Sequence, residues 1–339
     1  MLWLWIGLGI LLGISTLLVV ACAVLYVLLC IKYVDNIVRV FEEKPFFISP
    51  RGQPVADADE VHFRNPDGLT LRGCYFRSSG PQRQGVILFG LEFGSHVWSC
   101  LPYCETLLSN GFDVFAFEPR SQGESEHQPG YETLQWVTDF EVKDFRTALA
   151  YLRARPDADA RGVGLFGISK GGSAGLLAAA RDPYVRCFVT DGIFATYSTM
   201  IPYMRKWIRI YSDRYWIQVL LPTLFYGLVG RTALYRISRQ RGCRFPHLER
   251  AIAKLSGRPL FMIHGGGDTY IKPEMARVLF ERAGAPKEFW LVEGAKHNQG
   301  LQVAGEEYHK RVLSFFLTNL AAAPPATDRP VLAEAGCPE

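Results

Sequence analysis

Gly167-Ile168-Ser169-Lys170-Gly171 sets one serine between two glycines, with an apolar run at 163–166 before it and a run of small residues at 172–180 after it. A serine at a sharp strand-to-helix turn projects its hydroxyl above the sheet. Glycine is needed two residues to either side, where a side chain would collide with the neighbouring strand or helix. The chemistry of such a serine is nucleophilic attack. A hydroxyl is a weak nucleophile at neutral pH, so it needs a base within hydrogen-bond reach and a carboxylate to orient that base. The helix that begins at the serine offers free backbone N–H groups to developing negative charge.

The partners should sit on loops at the carboxyl ends of strands, where open α/β sheets bind ligands. Two loops meet this condition. After the apolar run 259–264 comes His264-Gly265-Gly266-Gly267-Asp268, which delivers a carboxylate just past a strand end; the same aspartate would also stabilise the turn. After 289–292 comes Glu293-Gly294-Ala295-Lys296-His297-Asn298, which delivers a histidine. Asp191 also ends a strand and is the competing orienting acid. Lys170 invites a serine–lysine mechanism, but the residue after the nucleophile points away from it in such a turn. Glu92 and Arg120 are candidates to line the pocket, but a surface salt bridge is the expected reading.

The elements that must carry these residues follow from hydropathy. Apolar runs at 85–90, 113–117, 163–166, 185–190, 259–264 and 289–292 alternate with helical patterns at 98–110 and 138–155. Residues 61–64 and 69–76 flank Asn65-Pro66-Asp67-Gly68, the signature of a β-hairpin. Strands that are apolar throughout and alternate with helices imply a parallel sheet covered on both faces. The chain has 339 residues and eight cysteines, and Cys100 and Cys104 have none of the further ligands a zinc site would need. No metal or organic cofactor motif is present.

Residues 2–31 carry no charge. About 20 helical residues cross a bilayer core, so the run suffices for a membrane anchor. It is too long for the apolar part of a cleaved signal peptide, and no small-residue cleavage site follows it. Lys32, Arg39, Lys44 and Arg51 follow the span and no base precedes it, so the rest of the protein is expected on the cytoplasmic side. The expected organisation is an anchor at 1–31, a juxtamembrane linker at 32–59, a catalytic domain at 60–318 with an insert at 196–248, and a disordered tail at 319–339. The insert is rich in tyrosine and tryptophan, and between 195 and 248 it holds nine bases against the single acid Asp213, a local charge of +8 in a chain whose total is +4.

These motifs, in this order, resemble those of serine hydrolases of the α/β-hydrolase superfamily, in particular its membrane-anchored α/β-hydrolase domain branch. The similarity covers residues 60–318. Residues 85–96 resemble the family's strand and oxyanion loop, and Glu118-Pro119-Arg120-Ser121-Gln122-Gly123-Glu124-Ser125 resembles its D-x-R-G-x-G-x-S loop. The chain order Ser169, Asp268, His297 is the family's. The resemblance implies an α/β-hydrolase fold, a mostly parallel sheet with helices on both faces and a helical cap at 196–248. It implies that Ser169 is the nucleophile, His297 the base and then the acid, and Asp268 its orienting partner. The backbone N–H groups of Leu91 and Lys170 would form the oxyanion hole. This chain departs from the pattern at three places: Phe89-Gly90 replaces the usual His-Gly, Glu118 replaces aspartate and Ser121 replaces glycine.

The function expected from these features is cleavage of carboxylic esters or thioesters, with lipid or acyl substrates favoured. The insert suits a lid over an acyl chain, or a surface resting on anionic headgroups. The partners expected are therefore the bilayer and a small-molecule or lipid ester. Nucleic acid is not expected, because the basic insert has no binding module around it. The altered oxyanion loop keeps open a second class, a catalytically weak or inactive membrane-tethered interaction protein.

Overall fold

In a computed structural model the residues described are 1–44, 52–211, 219–255 and 257–321. Parts of the expected linker (45–51), insert (212–218, with Asp213, Arg214, Tyr215 and Trp216) and tail (322–339) lie outside them. The described chain divides into two units, one of residues 45–198 with 244–339 and one of residues 1–44 with 199–243.

The larger unit is built on one eight-stranded sheet. Its strands are β1 (Asp59–Arg64), β2 (Thr70–Phe76), β3 (Gly85–Gly90), β4 (Phe112–Phe117), β5 (Val163–Ile168), β6 (Val185–Asp191), β7 (Leu260–Gly265) and β8 (Lys287–Val292), in the spatial order β1-β2-β4-β3-β5-β6-β7-β8. β1 and β2 form an antiparallel hairpin, and β2 pairs antiparallel with β4. All later pairings are parallel. The hairpin turns at Asn65, whose side-chain oxygen accepts from the N–H groups of Asp67 at 3.1 Å and Leu69 at 3.0 Å.

β3, β4, β5 and β7 are buried along their whole length, as strands covered on both faces must be. Successive side chains feed opposite layers. Leu165 joins Phe117, Phe145 and Leu176 on one face, while Phe166 joins Phe89, Tyr103 and Phe316 on the other. The helices α3 (Asp139–Ala154) and α4 (Ser169–Ala179) cover the first face; α2 (Leu101–Ser109) and α10 (Glu306–Phe316) cover the second. The helical pattern at 98–110 resolves into a short 3₁₀ turn, Val97–Cys100, and then α2, because Pro102 suits the first turn of a helix. α3 starts at a capping box in which Thr138 and Glu141 satisfy each other's backbone N–H groups.

The smaller unit contains α1 (Leu2–Glu42), most of α5 (Thr196–Tyr211) and α6 (Thr223–Arg241). α1 is long and apolar enough to cross a membrane, with a mean hydropathy of 2.8 in its most apolar stretch. It does not end with the uncharged run but continues through residues 32–42, which contain neither glycine nor proline to stop it.

Candidate active site

β5 ends at Ile168 and α4 begins at Ser169, whose φ of 49° is a left-handed value that a non-glycine residue adopts only under constraint. The constraint is close approach on both sides. A Cβ on Gly167 would lie 2.3 Å from the Gly172 Cα, and one on Gly171 would lie 2.2 Å from the Leu91 carbonyl oxygen. The second figure brings the start of α4 against the end of β3, so Leu91 and Lys170 border the same corner. Lys170 is the second residue of that helix, so its backbone N–H belongs to the helix's first turn.

Three buried side chains from three strand ends meet here. Ser169 Oγ lies 3.0 Å from His297 Nε2, and His297 Nδ1 lies 2.7 Å from Asp268 Oδ2. The tautomer that satisfies both neighbours carries its hydrogen on Nδ1, so Ser169 donates to Nε2 and His297 donates to Asp268. The other Asp268 oxygen accepts from the N–H groups of Tyr270 at 2.8 Å and Ile271 at 2.9 Å, so the carboxylate shapes its own turn as well as facing the ring. His264 supports that turn through an Nε2–H bond to the Ile271 carbonyl at 2.8 Å, and burial holds its imidazole below the ordinary range, hence neutral. Tyr270 lies against the His297 ring at 5.4 Å between centroids.

Asp191, the competing acid, is also buried but faces elsewhere. Its Oδ2 accepts from Tyr308 Oη at 3.0 Å, and among the described residues its Oδ1 has no hydrogen-bond partner. Burial pushes the carboxyl up to about 7. The Lys170 side chain turns away from Ser169. Its Nζ donates to the Leu134 carbonyl at 2.6 Å and to Glu141 Oε1 at 2.8 Å. Burial would raise the Glu141 carboxyl, but the Lys170 ammonium and the bonds from Thr138 and Tyr131 hold it below its ordinary value.

Glu92 and Arg120 correct the expectation of a surface salt bridge: both are buried, and they do not pair with each other. Arg120 binds Asp144 through Nε at 2.9 Å and Nη2 at 2.6 Å, tying the loop after β4 to α3. Glu92 accepts a hydrogen bond from the Asn298 side chain. The segment after β3 is thereby joined to the segment that carries His297. Gln122 adds bonds to the Glu92 and Ser95 carbonyls at 3.1 and 2.9 Å. The Glu92–Asn298 link was missed in the sequence, although each residue directly follows one already singled out, Leu91 and His297.

The departures from the family pattern have structural accounts. The Phe89 ring packs in the core, edge-on to Phe166 at 5.2 Å, rather than bonding in the loop. Ser121 takes the left-handed conformation that glycine would adopt, with φ of 59°. Its hydroxyl accepts from the Gln128 N–H at 3.0 Å. Glu118 accepts from the N–H groups of Val97 at 3.1 Å and Glu124 at 2.7 Å, so its longer side chain still organises the loop.

Comparisons with known proteins bear on this arrangement. The thiohydrolase aneE of Aspergillus aculeatus is 31% identical over 134 residues, 39% of this chain and 40% of that protein. The match thus spans less than half of that relative. A protein of Escherichia coli K12 described as uncharacterized, YfhR, is 26% identical over 269 residues, 78% of this chain and 82% of its own length. Among solved structures, the Pyrococcus furiosus esterase Pf2001 superposes with a TM-score of 0.59 at 20% identity, covering 82% of this chain and 99% of that one. Est1E of Butyrivibrio proteoclasticus, solved with ferulic acid, superposes with a TM-score of 0.56 at 16% identity over 77% of this chain and 99% of that one. At these identities the structures speak to the fold alone. The family described as the alpha/beta hydrolase family matches residues 88–311, well over half of the sequence, and the chain belongs to it.

Proposed function

We propose that this protein is a membrane-anchored serine hydrolase that cleaves carboxylic esters or thioesters through an acyl-enzyme on Ser169. The observation that carries the reading is the hydrogen-bonded series Ser169–His297–Asp268 at 3.0 and 2.7 Å, on a serine held at a strained φ. In the proposed mechanism His297 Nε2 takes the Ser169 hydroxyl proton as Oγ attacks the acyl carbonyl carbon. The N–H groups of Leu91 and Lys170 receive the oxyanion. The intermediate collapses, His297 returns the proton to the leaving alcohol or thiol, and the acyl group stays on Oγ. Water then attacks with His297 again as base, the acid is released and Ser169 regains its proton.

The preference for a lipid or acyl substrate rests on α1 and on the aromatic, basic composition of the insert. The thioester arm is supported by the name of the thiohydrolase relative, and the ester arm by the names of the esterases that share the fold. With Lys32, Arg39 and Lys44 following the uncharged run at 2–31, the catalytic unit is assigned to the cytoplasmic side of the membrane. A fluorophosphonate probe on the full chain in detergent tests the reading. Wild type should be labelled and Ser169→Ala should not. A folded wild type that stays unlabelled would sink it in favour of a tethered, non-catalytic role.

A further inference from the structure

We infer that Tyr270 selects the leaving group of the substrate, and that the group it takes is flat and apolar, an aryl alcohol or aryl thiol. The inference rests on the reading of Ser169 as the residue that forms an acyl-enzyme. In that reaction the attacked carbon carries Ser169 Oγ, the oxyanion, the acyl chain and the leaving atom. The oxyanion points to the N–H groups of Leu91 and Lys170. The leaving oxygen or sulfur must come within about 3 Å of His297 Nε2 to receive its proton. Whatever is attached to that atom therefore departs past the His297 ring.

The surroundings of that ring limit what the departing group can meet. Nδ1 faces Asp268 at 2.7 Å and Nε2 faces Ser169 at 3.0 Å. A Cβ on Gly192 would stand 3.4 Å from Cε1, so the backbone just after β6 runs along that edge. This leaves the Cδ2 edge and the two faces to the Tyr270 ring, which lies 5.4 Å from the His297 ring between centroids with the planes 57° apart. A group bonded to an atom beside Nε2 is within reach of it.

Tyr270 is half-buried, so part of its ring stays open to an incoming group. Its backbone is held from below. The Tyr270 N–H donates to Asp268 Oδ1 at 2.8 Å, and Ile271 is held by the same oxygen at 2.9 Å and, through its carbonyl, by His264 Nε2 at 2.8 Å. An aromatic ring on so fixed a turn is a wall of defined position. Aromatic pairs gain most when offset or edge-on, with centroids about 4.5–7 Å apart, so an aryl leaving group profits from the wall more than a small alkyl one. The same ring could instead act by holding His297, and the two roles separate in time. His297 is the base in both half-reactions, whereas the leaving group has gone before the second begins.

The test uses the full chain in detergent and two butanoate esters, phenyl and trifluoroethyl, which pass through the same butanoyl-enzyme. Tyr270→Ala should lower kcat/KM on the phenyl ester about fivefold more than on the trifluoroethyl ester. Tyr270→Phe, which keeps the ring, should recover most of that difference. Decay of the butanoyl-enzyme in Tyr270→Ala should change far less than acylation by the phenyl ester. Equal losses on the two esters, with slower decay, would show that Tyr270 acts by holding His297 and would overturn the inference. A Tyr270→Phe variant that loses as much as Tyr270→Ala would overturn it too, since the ring would then not be the selecting element. In both cases wild-type turnover and fluorophosphonate labelling of Ser169 stand, and the acyl-enzyme reading with them. A folded wild type that neither turns over the esters nor takes the label removes that reading and the inference together.

Discussion

Asp268 faces His297 Nδ1 at 2.7 Å, while Asp191, which ends a neighbouring strand, is held by Tyr308 at 3.0 Å. Two buried carboxylates thus lie near the Ser169 corner, and the bond to the imidazole comes from the first. Replacing Asp268 by asparagine removes the charge that favours the imidazolium and leaves an amide able to stabilise the wrong tautomer. Turnover on a short ester should fall by about 10⁴-fold in Asp268→Asn. Asp191→Asn should lose less than about tenfold, since the triad itself is untouched. Steady-state kinetics of both variants decide the assignment; the reverse order of losses would move the orienting role to Asp191.

Asp191 makes stability depend on pH in a stated direction. Burial lifts its carboxyl from 3.8 to about 7 in the folded protein. Between those values the folded state keeps the proton and the unfolded state has lost it, so stability is greatest on the acid side and falls as pH rises through about 7. Above that the fold must hold a buried carboxylate whose Oδ1 has no partner among the described residues. Thermal unfolding of the detergent-solubilised chain should show Asp191→Asn gaining on wild type at pH above 7 and matching it more closely near pH 5. An equal difference at the two pH values would contradict the buried, neutral carboxyl.

Lys170 and Glu141 form a buried pair at 2.8 Å that also fixes the Leu134 carbonyl. Lys170→Met strands the Glu141 charge and should destabilise the fold by about 3–5 kcal/mol. The double variant Lys170→Met with Glu141→Gln should recover much of that loss. Denaturant titrations of the three variants measure the coupling, and additivity would show that the pair is not coupled in solution.

The Glu92–Asn298 bond joins the segment that follows Leu91 to the one that carries His297. Breaking it should loosen the oxyanion donors relative to the base, lowering kcat more than it raises KM. Glu92→Gln and Asn298→Ala should therefore be non-additive, with a coupling of about 1 kcal/mol in a double-mutant cycle on kcat. Independent effects would mean that the two loops are positioned separately.

Much of this arrangement was legible in the chain because it depends on local rules. Glycines at 167 and 171 around a serine, a glycine-rich turn before Asp268 and a histidine beyond β8 are each dictated by close backbone approach or by strand ends. Apolar runs without alternation declared buried parallel strands, and their neighbours in sequence declared the helices. Helix ends were less legible: α1 runs on to Glu42 because nothing in its polar stretch breaks a helix, and hydropathy marks the end of an apolar surface rather than of a helix.

Long-range geometry decided the rest. Asp191 and Asp268 both follow strands of apolar residues, and the family resemblance favours Asp268 while leaving Asp191 as a competitor. The choice turns on the direction of a side chain at the end of β6, where Tyr308 from α10 takes the carboxylate. Glu92 and Arg120 read as surface charges because a buried charge is costly unless it finds its partners, and those partners, Asn298 and Asp144, lie far along the chain. The sequence by itself determined which residues stand at strand ends and what chemistry they carry. Only the tertiary structure decided which of them meet, because hydrogen bonds and desolvation act over a few ångströms across chain separations that no local spacing encodes.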